Sequence, residues 1–276
     1  MNRPAGATLE HVSTELELED AGGPPLPSHV ARLRVTGPED LGATAVVARY
    51  TLPSWRASVR AVEPAERLEK WCGAHGIEEA HSAGFAVKPD LVPLGELRMG
   101  GKRVAHRSFT EPWDCRRGCL HVEGDQVVIV SRDELADEPD GDMLQAGPIL
   151  LRERAILIHP GDDPEGFVET QREFDQDITA SREPRSAIAL GDGELLTIVV
   201  EGRAPHESGM LLHELAEFAL AVGARDALNL DGGSASALVA GGTRVNRPRS
   251  DDDGELEHSE PTTSALVFER AEGPAC

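Results

Sequence analysis

Residues 195–200, Leu-Leu-Thr-Ile-Val-Val, form an apolar, β-branched run with no polar alternation. A run of this kind suits a strand covered on both faces, so the chain must supply a layer on each side of it. The residues after the run meet that demand. Leu211, Leu215, Phe218, Ala219 and Val222 recur at the spacing of one helix face, and His213, Glu214 and Glu217 fall outside it. Ser208 is placed to cap the start of this helix, over 209–222, and Gly223 to end it. Residues 227–230 then read as a second buried strand. A strand-helix-strand unit of this length makes its two strands parallel within one sheet. Residues 186–190, the Gly191-Asp192-Gly193 turn and the 195–200 run read as a hairpin. The expected fold is therefore α+β: a mixed, curved β-sheet with a strand-helix-strand crossover and helices packed on it.

The rest of the chain is organised around this unit. Residues 1–28 end in Gly22-Gly23-Pro24-Pro25-Leu26-Pro27 and read as an arm or an irregular first strand; residues 29–270 read as a single domain. A helix is expected over 64–72, opened by Pro64, with Leu68, Trp71 and Cys72 on one side. Residues 235–240, 243–246 and 262–268 complete the sheet, and Asp251-Asp252-Asp253 reads as a solvated loop. With aromatics at 4%, Leu, Val, Ile and Ala must fill the core.

The formal net charge of −22 argues against nonspecific partners of negative charge, so no nucleic acid and no anionic membrane is expected. No segment reaches the ~18 apolar residues of a membrane span. The first thirty residues carry Glu10, Glu15, Glu17, Glu19 and Asp20 and lack an apolar core, so a cytoplasmic protein is expected. Four cysteines do not make a disulfide scaffold, and the C-x3-C spacing of Cys115 and Cys119 is not diagnostic of zinc. No metal or cofactor is expected, and no pattern assigns an oligomeric state.

Chain direction gathers a candidate site. Glu201 and Asp231 lie just beyond the carboxyl ends of the two strands of the crossover, an edge where open sheets bind ligands. A hairpin symmetric about Asp192 puts Arg185 opposite Val199, hence on the same face as Glu201. Asn229 and Asp231 share a face by alternation. The resulting cluster is Arg185, Glu201, Arg203, Asn229 and Asp231, with the Gly232-Gly233-Ser234 turn beside it and His206 in the neighbouring loop. Two carboxylates and two guanidiniums form either a structural ion-pair network or, with glycine-rich backbone, an anion-binding concavity. There is no G-x-x-x-x-G-K-[ST] phosphate loop and no G-x-S-x-G nucleophile elbow.

The C-terminal half resembles the phosphodiester glycosidase family, which includes the lysosomal uncovering enzyme. The resemblance rests on an ordered set of short motifs: Gln145-Ala146-Gly147-Pro148, Pro184-Arg185-Ser186-Ala187, Glu201-Gly202-Arg203 and Gly209-Met210. These continue into the stretch from Ala227 to Ser234 and close with Asn246-Arg247-Pro248. The chain departs from the family pattern at four points. Glu201-Gly202-Arg203 stands for Asp-Gly-Arg, Pro184-Arg185-Ser186-Ala187 for Pro-Arg-Thr-Ala, Ser234 replaces the third glycine after Asp231, and Ser82-Ala83-Gly84-Phe85 occupies an Asn-Gly-Gly-Phe-Phe-like turn, without its asparagine. The resemblance implies a hydrolase acting on a sugar-1-phosphodiester at the C1–O bond. Asp231 and Glu201 would be its carboxylates and Arg185 and Arg203 its phosphate clamp. Asn229, Gly232, Gly233, Ser234, Gln145 and His206 would contact the sugar phosphate. The alternative it leaves open is a catalytically inactive sugar-phosphate or glycan-binding module on the same fold.

Overall fold

The computed structural model describes residues 16–167, 181–250, 254 and 256–271. Among the described residues there are twenty strands and two α-helices, so sheets rather than helices dominate the fold. The largest sheet has eight strands in the order Glu17–Asp20, Val30–Gly37, Leu41–Thr51, Glu194–Val200, Arg185–Leu190, Asp226–Leu230, Ile149–Arg152 and Ala155–Ile156. A five-stranded sheet runs Thr243–Arg244, Leu238–Ala240, Ala80–Ser82, Pro261–Arg270 and Trp55–Arg67. A second five-stranded sheet runs Gln126–Ser131, Gly118–Glu123, Asp142–Gln145, Leu97–Met99 and Lys102–Arg103. Among the described residues, no helix is long and apolar enough to cross a membrane.

The expectation of a mixed sheet is corrected: neighbouring strands in these sheets are antiparallel. The crossover helix does carry the chain from Glu194–Val200 to Asp226–Leu230. The strand Arg185–Leu190 lies between them and is antiparallel to both. The two outer strands therefore run the same way without touching, and their carboxyl ends emerge at one edge.

The central run is buried on both sides. Leu195 and Val199 pack with Leu238, Leu266 and Phe268 of the five-stranded sheet. Leu196, Ile198 and Val200 pack on the other side, under the helix Leu212–Ala221. Ala187, Ala189 and Ala227 are small enough to let that helix lie close.

Both helix expectations are corrected in their boundaries. The first helix is Leu68–His75, and Pro64 lies within the strand Trp55–Arg67. Pairing with Pro261–Arg270 is irregular between Ala61 and Glu66, and there the missing N–H of proline removes no ladder bond. The second helix starts at Leu212. Ser208 does not cap it; its Oγ donates to Gly42 O at 3.0 Å. Glu214 does that work, accepting Leu211 N–H at 2.8 Å while its carboxylate also takes both contacts of Arg182 Nε at 3.0 Å. Glu214 is thereby buried, although the periodicity put it on the solvent side.

The loop covering the Gly147-Pro148 bend is held by Arg117, which is fully buried. Its guanidinium lies between the rings of Phe109 and Phe167, at 4.2 and 4.0 Å from their centroids. It donates to Glu165 O at 3.1 Å and Gly166 O at 3.3 Å. Arg117→Met keeps much of the volume and strands both carbonyls. It is expected to cost on the order of 2–4 kcal/mol and to lower the melting temperature by roughly 5–15 °C. An unchanged calorimetric Tm would show that the sandwich contributes nothing.

Candidate functional site

The edge where Glu194–Val200 and Asp226–Leu230 end places Glu201 and Asp231 two strand spacings apart, roughly 10 Å along the sheet. Between them enters Arg185–Leu190, with Ser186 opposite both Val199 and Leu230. Arg185 therefore pairs with Val200, not Val199. The cause is the turn. Gly191 N–H bonds to Glu194 O at 2.9 Å and Gly193 takes φ +76°, making a two-residue Asp192-Gly193 hairpin rather than one centred on Asp192. The one-residue shift sends Arg185 to the helix side of the sheet, away from Glu201. There its Nε donates to Met210 O at 2.8 Å and its Nη2 to Ser181 O at 2.7 Å.

The glycines of the site answer to the protein's own backbone. A Cβ on Gly232 would stand 2.7 Å from Pro184 O, and one on Gly209 2.3 Å from Glu183 O. A Cβ on Gly202 would stand 2.9 Å from Gly209 Cα. Gly233, at φ +61°, donates its N–H to Pro184 O at 2.8 Å. Three loops thus close around Glu183 and Pro184, and glycine is the residue that permits it. Asp231 N–H donates to Ala83 O at 2.9 Å, which docks the 82–84 turn of the other sheet against the site. Ser234 O accepts Glu260 N–H at 3.0 Å.

The other expected site residues divide into those at this edge and those spent elsewhere. Arg203, with a left-handed φ of 56°, lays its guanidinium along Gly233, its Nη2 3.5 Å from where a Cβ would be. Its Nε donates to Glu183 Oε2 at 2.7 Å. Glu201 is 2% exposed, and both its oxygens are occupied by Arg247: the backbone N–H at 2.9 Å, Nε at 2.8 Å and Nη2 at 2.6 Å. Asn229 lies buried further back on its strand, donating Nδ2–H to Gly147 O at 2.9 Å. Gln145 lies apart, its Oε1 accepting Glu96 N–H at 3.0 Å and its Nε2 donating to Asp114 O at 2.5 Å. His206 is exposed, and its carbonyl accepts Arg34 Nη2 at 2.7 Å.

Asp231 is the electrostatic centre. Desolvation by the surrounding loops pushes its carboxyl up to about 7; Lys88 opposes the rise and Glu260 adds to it. Lys88 Nζ and Glu260 Oε2 are themselves paired at 3.2 Å. Lys88, Glu260 and Arg247 are the residues the sequence did not single out. Only Arg247 left a trace there, inside the Asn246-Arg247-Pro248 motif. Among the described residues no three His, Cys, Asp or Glu side chains gather into a metal-binding group.

Comparison with known proteins gives the family and the fold. The pattern of the phosphodiester glycosidase family matches residues 75–269. A Bos taurus N-acetylglucosamine-1-phosphodiester alpha-N-acetylglucosaminidase is 28% identical over 188 residues, covering 66% of this chain and 34% of that protein. The chain thus spans about a third of the length of that relative. The fold is similar to the zebrafish catalytic domain of the same name, auto-inhibited by its pro-peptide. That likeness has a TM-score of 0.66 at 16% identity and covers 94% of this chain and 89% of the other. A hypothetical protein from Synechocystis shares the fold at a TM-score of 0.57 and 16% identity, over 90% of this chain and 64% of its own.

The crowding around Glu183 can be measured. Gly209→Ala puts a methyl 2.3 Å from Glu183 O at φ +78° and is expected to cost about 2–4 kcal/mol. Gly193→Ala, at φ +76° with nothing within 4 Å, is expected to cost about 1 kcal/mol. Equal shifts of the urea midpoint in the two variants would remove the close approach as the reason for Gly209.

Proposed function

The chain belongs to the phosphodiester glycosidase family, and on that ground we propose that it hydrolyses a sugar-1-phosphodiester at the C1–O bond. The observation that carries the reading is the desolvated carboxyl of Asp231, pushed up to about 7 beside the arginine-lined 232–234 turn. A base is most useful when its pKa lies near the working pH. Ionised Asp231 takes a proton from water as the water oxygen bonds to C1. The electron pair of the C1–O bond leaves with the phosphate monoester, which needs no strong acid because phosphate is already a good leaving group. Arg203, lying along Gly233, takes the phosphate charge in the transition state.

Glu201 acts differently from Asp231 in this reading. A carboxylate filled by three N–H donors of one arginine has little left for a substrate. Its task is to hold Arg247, whose side chain remains 48% exposed at the site edge and adds a second cation for the phosphate. Arg185 and Gln145 brace the loops and do not touch substrate. The N-acetylglucosamine-1-phosphodiester named for the bovine relative is the first substrate to assay.

Asp231→Asn is expected to lower kcat/KM about 100-fold or more, and wild-type kcat/KM should rise with pH to half its plateau near about 7. Stability gives an independent reading. The folded carboxyl titrates above the ordinary value of 3.8. Between the two values the folded state holds more protons than the unfolded chain. Stability therefore falls as pH rises, with the full deficit above about 7. Asp231→Asn should raise the melting temperature at about pH 8 and leave it nearly unchanged at about pH 4. Wild-type turnover in the variant would take Asp231 out of the reaction.

A further inference from the structure

Lys88 and Glu260 come from separate loops that the five-stranded sheet makes neighbours. Lys88 follows the strand Phe85–Val87, and Glu260 precedes Pro261–Arg270, which pairs with Ala80–Ser82. Their ion pair spans 3.2 Å, with 74% of the lysine side chain and 40% of the glutamate exposed. The two ends are held very differently. Glu260 donates its N–H to Ser234 O at 3.0 Å, in the turn that follows Asp231. The residue before it is locked too. Glu69 accepts Ser259 N–H at 3.0 Å, Ser259 Oγ–H at 2.7 Å and Arg244 Nη1 at 2.8 Å. Arg244 Nη2 also donates to Glu257 O at 3.0 Å. Lys88, by contrast, reaches its partner through a long side chain in solvent.

An ion pair this exposed is worth about 0–1 kcal/mol, so a phosphate can displace it. We propose that Lys88 is a further phosphate-receiving cation of the site, beside Arg203 and Arg247, and Glu260 its resting partner. An incoming sugar phosphate draws Lys88 Nζ away, and Glu260, its backbone held at Ser234, stays behind near Asp231. Lys88 is then a specificity-determining residue for the phosphate, and Glu260 a positioning residue that acts through Asp231. The inference rests on the hydrolytic reading above and adds to it how the base is tuned. The charged groups acting on Asp231 are Lys88 and Glu260, with the backbone N–H of Gly232 also holding its carboxylate. The 82–84 turn reaches it through the Ala83 carbonyl. When Lys88 turns to the substrate, Asp231 loses its counter-charge, keeps the like charge of Glu260, and becomes a stronger base with substrate bound.

The test tracks the Asp231 carboxyl by carbon-13 NMR in the full chain, assigned with Asp231→Asn, with inorganic phosphate as the probe. Wild type should titrate near about 7. Glu260→Gln should move the midpoint down and Lys88→Met up. Phosphate should raise the midpoint in wild type and raise it less in Lys88→Met, which should bind phosphate about five- to tenfold more weakly. Midpoints that stay put, or that move in the same direction in both variants, would overturn the proposal, as would unchanged phosphate affinity in Lys88→Met. None of these readings needs turnover. Opposite shifts in a chain that cleaves no diester would sink only the reaction, and unmoved midpoints in an active enzyme only this inference.

Discussion

Pro184 O accepts the N–H of Gly233 and lies where a side chain on Gly232 would have to go. The rest of the site depends on that contact. Because the 231–234 turn folds down onto Pro184, Asp231 leaves its strand at a fixed angle and its own N–H meets Ala83 O from the other sheet. Gly202 and Gly209 bring the loop after Glu201 against the same two residues from the opposite side. Arg203 then falls along Gly233. The close packing that removes water from the Asp231 carboxyl and the close packing that excludes side chains from these glycines have one cause.

That cause changes how the glycines are understood. Bare backbone after a carboxylate looks like a surface offered to a ligand. Here Gly232 is bare because Pro184 occupies the space, and the N–H of Gly233 is already engaged. The anion-binding capacity of the edge therefore lies in side chains: Arg203, the Arg247 held by Glu201, and Lys88. In a chain of net charge −22, each of these cations is paired with a carboxylate: Arg203 with Glu183, Arg247 with Glu201, Lys88 with Glu260. A phosphate arriving at this edge meets cations held by partners of different burial, and the pair most exposed to solvent is the one it can open at least cost.

The sequence made some of this legible, and the reasons are physical. The 195–200 run announced a strand with a layer on each side because burying both faces leaves no polar position to alternate. Chain direction alone put Glu201 and Asp231 at one edge. The role of Arg185 failed on a single register step, decided by two residues of turn, Asp192 and Gly193. An even-numbered hairpin favours φ > 0 at such positions, and that signal was present in the sequence. The partner of Glu201 was not legible. Arg247 is 46 residues away, and nothing local in either segment encodes their meeting. Glu214 shows the same limit from the other side: periodicity placed it outward, and its contacts with Leu211 and Arg182 turn it in.

The same limit explains why Lys88 and Glu260 stayed hidden. Neither lies in a motif, and each belongs to a loop whose path is set by strands that pair across most of the chain, Ala80–Ser82 with Pro261–Arg270. What makes them matter is the low dielectric around Asp231. In water the influence of either exposed charge on a carboxyl is weak, because the high dielectric and salt screen it. Around a desolvated carboxyl their separate positions count, because moving either one leaves the other acting alone. The close packing of the turn on Pro184 thus gives an ordinary surface ion pair leverage over Asp231, whose carboxyl desolvation raises to about 7.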